Sequence, residues 1–279
     1  AQPFRTVQDA INCATAQKAI LVRPGTYTQN LNVTGRKFEI QSIGGAAVTT
    51  LRGVGTTPAV TLRSTGGKKT LYGFTVTSSG TGGGISVLSA TQYRIERNIV
   101  SGNFSIATGA GIRVAAGSNG DITANVIRTN VSSGAGGGIA VESSIARIVS
   151  NEITNNTSGG SGGGVYVISS TPTLSSNRIE GNSAGMDGGG VALFASASNL
   201  DDNEISTNSA SPVSGDGGGL YAYSSALTLT RGRIGSNSAY RGAGVLVERS
   251  TPTVTRVQFR GNFAGPGGGG GLFVFDQTA

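Results

Sequence analysis

Gly162-Gly163-Gly164-Val165-Tyr166-Val167, followed by Ile179-Glu180-Gly181-Asn182, is one turn of a pattern that runs along most of the chain. Glycine-rich blocks end in a branched apolar residue at Ile85, Ile112, Ile139, Val165, Val191, Leu220, Val245 and Leu272, at successive intervals of 27, 27, 26, 26, 29, 25 and 27 residues. An apolar residue with Asn three positions later travels with each block: Val100/Asn103, Ile127/Asn130, Ile153/Asn156, Ile179/Asn182, Ile205/Asn208, Ile234/Asn237 and Phe259/Asn262. The Asn offset holds while the loops between the landmarks change length. A constant period with length changes confined to fixed places marks a solenoid of stacked coils.

The residues of each coil specify strands. After the glycines, apolar residues fall at every second position, as in Val165-Tyr166-Val167, Val191-Ala192-Leu193 and Val245-Leu246-Val247, with Gly, Ser and Asn at the boundaries. The Asn landmark sits in a second strand, and a third short segment such as Thr171-Pro172-Thr173-Leu174 lies between them. Three short strands and three turns in about 26 residues predict an all-β, parallel β-helix of about ten coils. Composition agrees: 47 Gly with only 7 Pro and no G-X-Y period excludes collagen. Cys13 has no partner for an intrachain disulfide, and no stretch reaches the roughly 20 apolar residues of a membrane helix.

The N-terminus departs from the repeat. Val7, Ala10, Ile11 and Ala14 are spaced as on an amphipathic helix, with Thr6 as its N-cap, and residues 1–18 are expected to plug the open end of the core. A single elongated β-helix is expected over 19–279. Leu272-Phe273-Val274-Phe275 begins a coil that Ala279 leaves unclosed, so the natural protein is expected to continue.

Phe4-Arg5-Thr6-Val7-Gln8-Asp9-Ala10-Ile11 with Val22-Arg23-Pro24-Gly25-Thr26-Tyr27 resembles the opening of many right-handed β-helix proteins of the pectin lyase-like superfamily. The Gly-Gly-Gly-apolar blocks with Ile-x-x-Asn, and Phe259-x-x-Asn262, resemble the repeats of bacterial polymorphic outer-membrane proteins. That resemblance covers nearly the whole chain. It implies a right-handed coil in a secreted or surface-displayed, bacterial and often adhesive protein. Two features depart from the family: the third Gly stands where Ala is more usual, and the barrel that anchors such proteins is missing from this sequence.

Asn103, Asn130, Asn156, Asn182, Asn208, Asn237 and Asn262 are expected to form a buried, structural row in which each amide bonds to the next. Tolerance of Asn for the left-handed backbone region is a second reason to expect it in these turns. Glu152, Arg178, Glu204 and Arg233 precede the landmark apolar residues and are expected to form an outward ladder of opposite charges. The net charge of +7 admits acidic partners, but no aromatic-basic pattern supports nucleic acid.

For chemistry, the superfamily's enzymes use clustered carboxylates, often with calcium, a basic residue or His. This chain has no His and only 14 acidic residues. Stacking the coils places Asp187 and Asp216 one coil apart with Arg241 next in line, a candidate catalytic set or calcium site. The alternative is two turn-forming Asp residues neutralised by Arg241. Otherwise no cofactor is expected. Alternation turns Tyr166, Ile168, Phe194, Tyr221, Tyr223, Phe273 and Phe275 outward, and such a stripe is expected to be exposed and to bind a glycan or another protein. The functional expectation is a rigid adhesive or glycan-binding rod; the alternatives are a polysaccharide lyase or hydrolase and a structural spacer.

Overall fold

The computed structural model describes residues 3–14, 19–35, 37–63 and 66–275. Three parallel sheets of ten strands each run along the chain. Sheet 1 runs from Ala19–Val22 to Thr253–Thr255, sheet 2 from Gly25–Thr28 to Gln258–Arg260, and sheet 3 from Leu31–Thr34 to Leu272–Phe275. Every coil visits the sheets in that order, so ten strands at the usual ~4.8 Å spacing give a rod about 45 Å long. The strands after the glycine blocks belong to sheet 3 and the Asn-landmark strands to sheet 2. A fourth, two-residue strand follows the Asn in several coils, for example Thr157–Ser158 and Ser183–Ala184, so the central coils carry one more strand than the pattern predicts.

Alternation dictates the core. In sheet 3, Val165, Val191, Leu220 and Val245 stack inward in register, and Val167, Leu193, Ala222 and Val247 form the next inward row. Ile153, Ile179, Ile205 and Ile234 do the same in sheet 2, and all twelve are buried. Each Val, Leu or Ile among them contributes roughly 1.5–3 kcal/mol on burial.

Polar ladders hold the corners. In the expected row, each Nδ2 donates to the Oδ1 of the next coil's Asn: Asn103 to Asn130 at 2.8 Å, Asn156 to Asn182 at 3.0 Å, and on to Asn262 at 3.0 Å from Asn237. The same Oδ1 accepts the neighbouring backbone N–H, as Asn182 does from Asn156 at 2.9 Å. A second ladder lies at the corner between sheets 1 and 2, formed by Asn98, Asn125, Asn151, Asn177 and Asn203. A third, at the corner between sheets 3 and 1, uses Ser hydroxyls: Ser144 N–H donates to Ser170 Oγ at 3.0 Å and Ser196 N–H to Ser225 Oγ at 3.1 Å.

The left-handed conformation falls elsewhere than expected. Thr129 (φ 54°), Asn155 (φ 54°), Thr207 (φ 54°) and Ser236 (φ 55°) adopt it, each just before a ladder Asn, whereas the ladder residues do not. The strained residue turns the chain so that the next side chain points inward, and the amide ladder then holds it there. Glycine follows from the same corner. A Cβ on Gly164 would lie 2.6 Å from the Gly190 carbonyl oxygen and 3.0 Å from Asn182 Nδ2. The glycine row is packed directly on the Asn row, which is why the two landmarks travel together.

At the N-terminal end, the helix Val7–Cys13 has its Thr6 cap, with Thr6 Oγ1 accepting from Asp9 N–H at 3.0 Å. Val7 and Ile11 are buried against the first coil. Gln8 substitutes for a strand: its Oε1 accepts from Asn32 N–H at 2.8 Å and its Nε2 donates to the Asn32 carbonyl at 3.2 Å. Of the expected cap, residues 1–2 and 15–18 lie outside the described residues, as do 276–279 at the other end. The outward charge ladder forms in register, with Arg178–Glu152 at 2.9 Å and Arg233–Glu204 at 3.6 Å.

Replacing Asn182 by Ala leaves the Asn156 backbone N–H and one of its two Nδ2 hydrogens without an acceptor inside the rod, the other still donating to the Ile127 carbonyl, and is expected to cost about 1–3 kcal/mol. Asn262, half-buried at the last coil, should cost clearly less on the same change. Urea unfolding of the two variants measures the difference; equal losses would contradict a ladder stabilised by burial.

Candidate functional site

The outer face of sheet 3 carries two columns. The column nearer the glycine corner reads Ser86, Arg113, Ala140, Tyr166, Ala192, Tyr221, Leu246 and Phe273; the farther one includes Glu142, Ile168, Phe194, Tyr223, Glu248 and Phe275. All the aromatics of the expected stripe therefore point outward, but the nearer column is not open to solvent. The glycine corner folds back over it: a Cβ on Gly162, which has φ +70°, would meet Tyr166 Cβ at 2.8 Å. Ala140, Ala192 and Leu246 are buried beneath this corner.

Tyr221 corrects the expectation of an exposed stripe. It is only 5% exposed, and its hydroxyl donates to Glu248 Oε2 at 3.0 Å. Burial first, and then Glu248, push its pKa well above the ordinary tyrosine value. Tyr166, Phe194, Tyr223, Phe273 and Phe275 are half-buried rather than fully exposed. Phe194 is the hub, with ring centroids 5.7 Å from Tyr166, 5.5 Å from Tyr221 and 6.4 Å from Tyr223. Phe273 and Phe275 stack at 6.2 Å in the last coil.

Asp187, Asp216 and Arg241 do meet, at the entrance to sheet 3. Asp216 N–H donates to Asp187 Oδ1 at 3.0 Å. Arg241 grips Asp216 with both arms, Nε to Oδ1 at 2.9 Å and Nη2 to Oδ2 at 2.5 Å, and its guanidinium lies 5.7 Å from the Phe275 ring. Both oxygens of the buried Asp216 carboxylate are thus engaged by the guanidinium, which stands where a calcium ion would have to bind. Among the described residues no group of three or more His, Cys, Asp or Glu side chains could hold a metal. Asp187 holds the Asp216 N–H on its Oδ1. Burial raises its pKa above the ordinary carboxylate value, the charges of Asp216 and Glu248 add to this, and the Asp216 N–H and Arg241 oppose it. This half-buried carboxyl is the group of the set best placed to exchange a proton.

Next to the farther column, at the corner between sheets 3 and 1, runs a shallow groove of about 500 Å³ lined by Ser169, Ser170, Thr171, Ala195, Ser196, Ala197 and Ser224. The residues following Ile168, Phe194 and Tyr223 are Ser169, Ala195 and Ser224, all with left-handed backbone. Arg249 adds a cation at the same corner, its guanidinium 5.4 Å from the Tyr223 ring centroid and its Nη1 donating to the Tyr223 hydroxyl at 2.8 Å. Sequence reasoning missed this groove and the roles of Glu248 and Arg249. The recurring Ser-Ser pairs at 143–144, 169–170 and 224–225 were the available signal.

The Asp187 pKa has a testable sign. A carboxyl whose folded pKa lies above its unfolded value takes stability away as pH rises from the ordinary range, about 3.9, through the folded pKa. Asp187→Asn keeps an acceptor for the Asp216 N–H and cannot ionise. The variant should be more stable than the parent at neutral pH, and the gain should vanish below the ordinary Asp range. A gain independent of pH in denaturant titrations would contradict the assignment.

A search of curated proteins finds no significant match to this chain. Among solved structures, a pectin methylesterase mutant in complex with a hexasaccharide is 14% identical, with a TM-score of 0.34 and coverage of 90% of this chain and 75% of that one. The A-module of the mannuronan C-5 epimerase AlgE6 of Azotobacter vinelandii is 13% identical, with a TM-score of 0.34 and coverage of 98% and 93%. Residues 130–279, more than half of the sequence, match the profile of the family described as the right handed beta helix region, and the chain belongs to that family.

Proposed function

We propose that this chain is a rigid, secreted or surface-displayed rod that binds a glycan along the farther column of sheet 3 and the adjoining serine-lined groove. The observation that carries the reading is the juxtaposition of half-buried rings, Phe194 and Tyr223, with a groove whose walls offer Ser and Thr hydroxyls. Aromatic faces cover the apolar faces of sugar rings, while hydroxyls and Arg249 supply the directional bonds that a sugar's rim requires. The inward rows are filled by Val, Leu and Ile, so these rings are not needed to complete the core. Among the described residues no helix is long and apolar enough to cross a membrane.

A second reading has its own support. The raised pKa of Asp187, close enough to Glu248 and Asp216 to feel their charges, favours an acid-base role toward a polysaccharide held on this face.

The binding reading predicts that Phe194→Leu combined with Tyr223→Ser weakens binding to immobilised glycans about ten-fold or more, at about 0.5–1.5 kcal/mol for each aromatic contact, with little change in melting temperature. Unchanged glycan binding with a large loss of melting temperature would make the column structural. Appearance of new reducing or unsaturated ends during incubation, abolished by Asp187→Asn, would establish the enzymic reading in its place.

A further inference from the structure

The net positive charge of this protein is confined to one end. The first 70 residues contain nine basic side chains and two acidic ones, Asp9 and Glu39, a net of +7; the remaining residues contain twelve of each and are neutral. The two regions also differ in how the charges are used. Beyond residue 70 the cations are largely spent on carboxylates in neighbouring coils, as in Arg113–Glu142 at 2.6 Å, Arg147–Asp121 at 3.3 Å and Arg241–Asp216 at 2.5 Å. Among the described residues, no basic side chain of the first 70 makes an ion pair. No acidic residue occurs between Glu39 and Glu96.

Three of these cations share the edge of the rod that carries the groove. Arg63 continues the farther column of sheet 3, in register with Thr34 and Leu88. Lys37 and Lys68 occupy the same corner between sheets 3 and 1, one coil apart, and the two turns touch: a Cβ on Gly67 would lie 2.9 Å from the Lys37 nitrogen. Buried Lys69 ties them together, its Nζ donating to the carbonyls of Gly35, Gly66 and Gly67 at 2.9 Å each. Those three carbonyls are engaged by Lys69 rather than by the surface cations. Lys37 and Arg63 are exposed and Lys68 is partly so. The rings in register with Lys69, Phe38 and Tyr93, are buried, so among the described residues this corner presents neither a stacking surface for nucleic acid bases nor an apolar wedge for lipid.

We infer that Lys37, Arg63 and Lys68 bind the anionic groups of an acidic polysaccharide that lies along this edge and reaches the Phe194–Tyr223 platform. The inference rests on the glycan reading above and gives the glycan its charge and direction. The Arg63 and Phe194 strands are five steps apart in sheet 3, about 24 Å at the usual strand spacing, so an extended chain of several sugars spans both. Exposed cations without a buried frame select charge density rather than one geometry, and their contribution is screened by salt.

The test compares dextran with dextran sulfate of matched length at low and high salt. The wild-type chain should bind the sulfated polymer about ten-fold more tightly at low salt, with the preference collapsing at high salt. Lys37→Ser/Arg63→Ser/Lys68→Ser should erase the preference while leaving dextran binding intact, and Lys37→Glu alone should reduce it. Phe194→Leu/Tyr223→Ser should weaken both polymers. A triple variant that keeps the sulfate preference overturns the inference and leaves the glycan reading standing. A wild-type chain that binds neither polymer overturns both. A single-stranded DNA of equal charge that binds more tightly than dextran sulfate overturns the identification of the partner as a glycan.

Discussion

A buried side-chain amide must find both a donor and an acceptor, and in a solenoid an identical amide one coil away supplies them. That requirement organises this rod. From Asn130 to Asn262 each Oδ1 accepts both the Nδ2–H and the backbone N–H of the preceding coil's Asn, while Asn103, at the head of the row, donates onward but leaves its own Oδ1 without a partner. Because the ladder fills the inside of its corner, the strand that passes over it must have no side chain at the point of contact, and Gly164 and its equivalents meet that demand. The inward aliphatic rows then fall into register, because a shift of one residue would turn both amides and Val or Ile side chains to the wrong face.

The repeat was legible because both partners in this contact are rigidly spaced in sequence. Glycine block, landmark Asn and alternating apolar residues each report one geometric necessity, so coil number, strand direction and the buried Asn row could all be read directly. The Asn98–Asn203 ladder was equally present in the sequence, two positions before the landmark apolar residue, but sits among other polar residues with no glycine block to mark it. The backbone conformation was misassigned for a related reason. Asn is the usual non-glycine occupant of the left-handed region, yet here Thr129, Thr207 and Ser236 take that conformation one position earlier, since the corner fixes the chain's path and the ladder holds it.

The candidate site was less legible because alternation reports direction, not cover. Tyr166, Tyr221 and Phe273 point outward as the two-residue period requires, but what lies above an outward side chain depends on how the glycine corner folds back. Tyr221 ends up beneath it with Glu248 as its partner. The Asp187–Asp216–Arg241 grouping was visible as a column, while the different partners of its two carboxyls came from three-dimensional facts: the forked bond to Arg241 on Asp216, and on Asp187 the single bond from the Asp216 N–H. The charge division along the rod needed the coil register before it meant anything, since only then do Lys37, Arg63 and Lys68 fall on the edge that leads to Phe194 and Tyr223.

The central claim is that glycine and asparagine rows stabilise the coil as a single packed contact. A double-mutant cycle on Gly190 and Asn208, where a Cβ on Gly190 would lie 3.0 Å from Asn208 Nδ2, tests it most directly by urea unfolding. Gly190→Ala should be costly in the wild-type chain; once Asn208 is Ala the clash of the Cβ with the Gly219 carbonyl at 2.5 Å remains but the contact with the amide is gone, so the cost should fall by a coupling of about 0.5–3 kcal/mol. Equal costs in the two backgrounds would show that the rows act independently and would contradict the account.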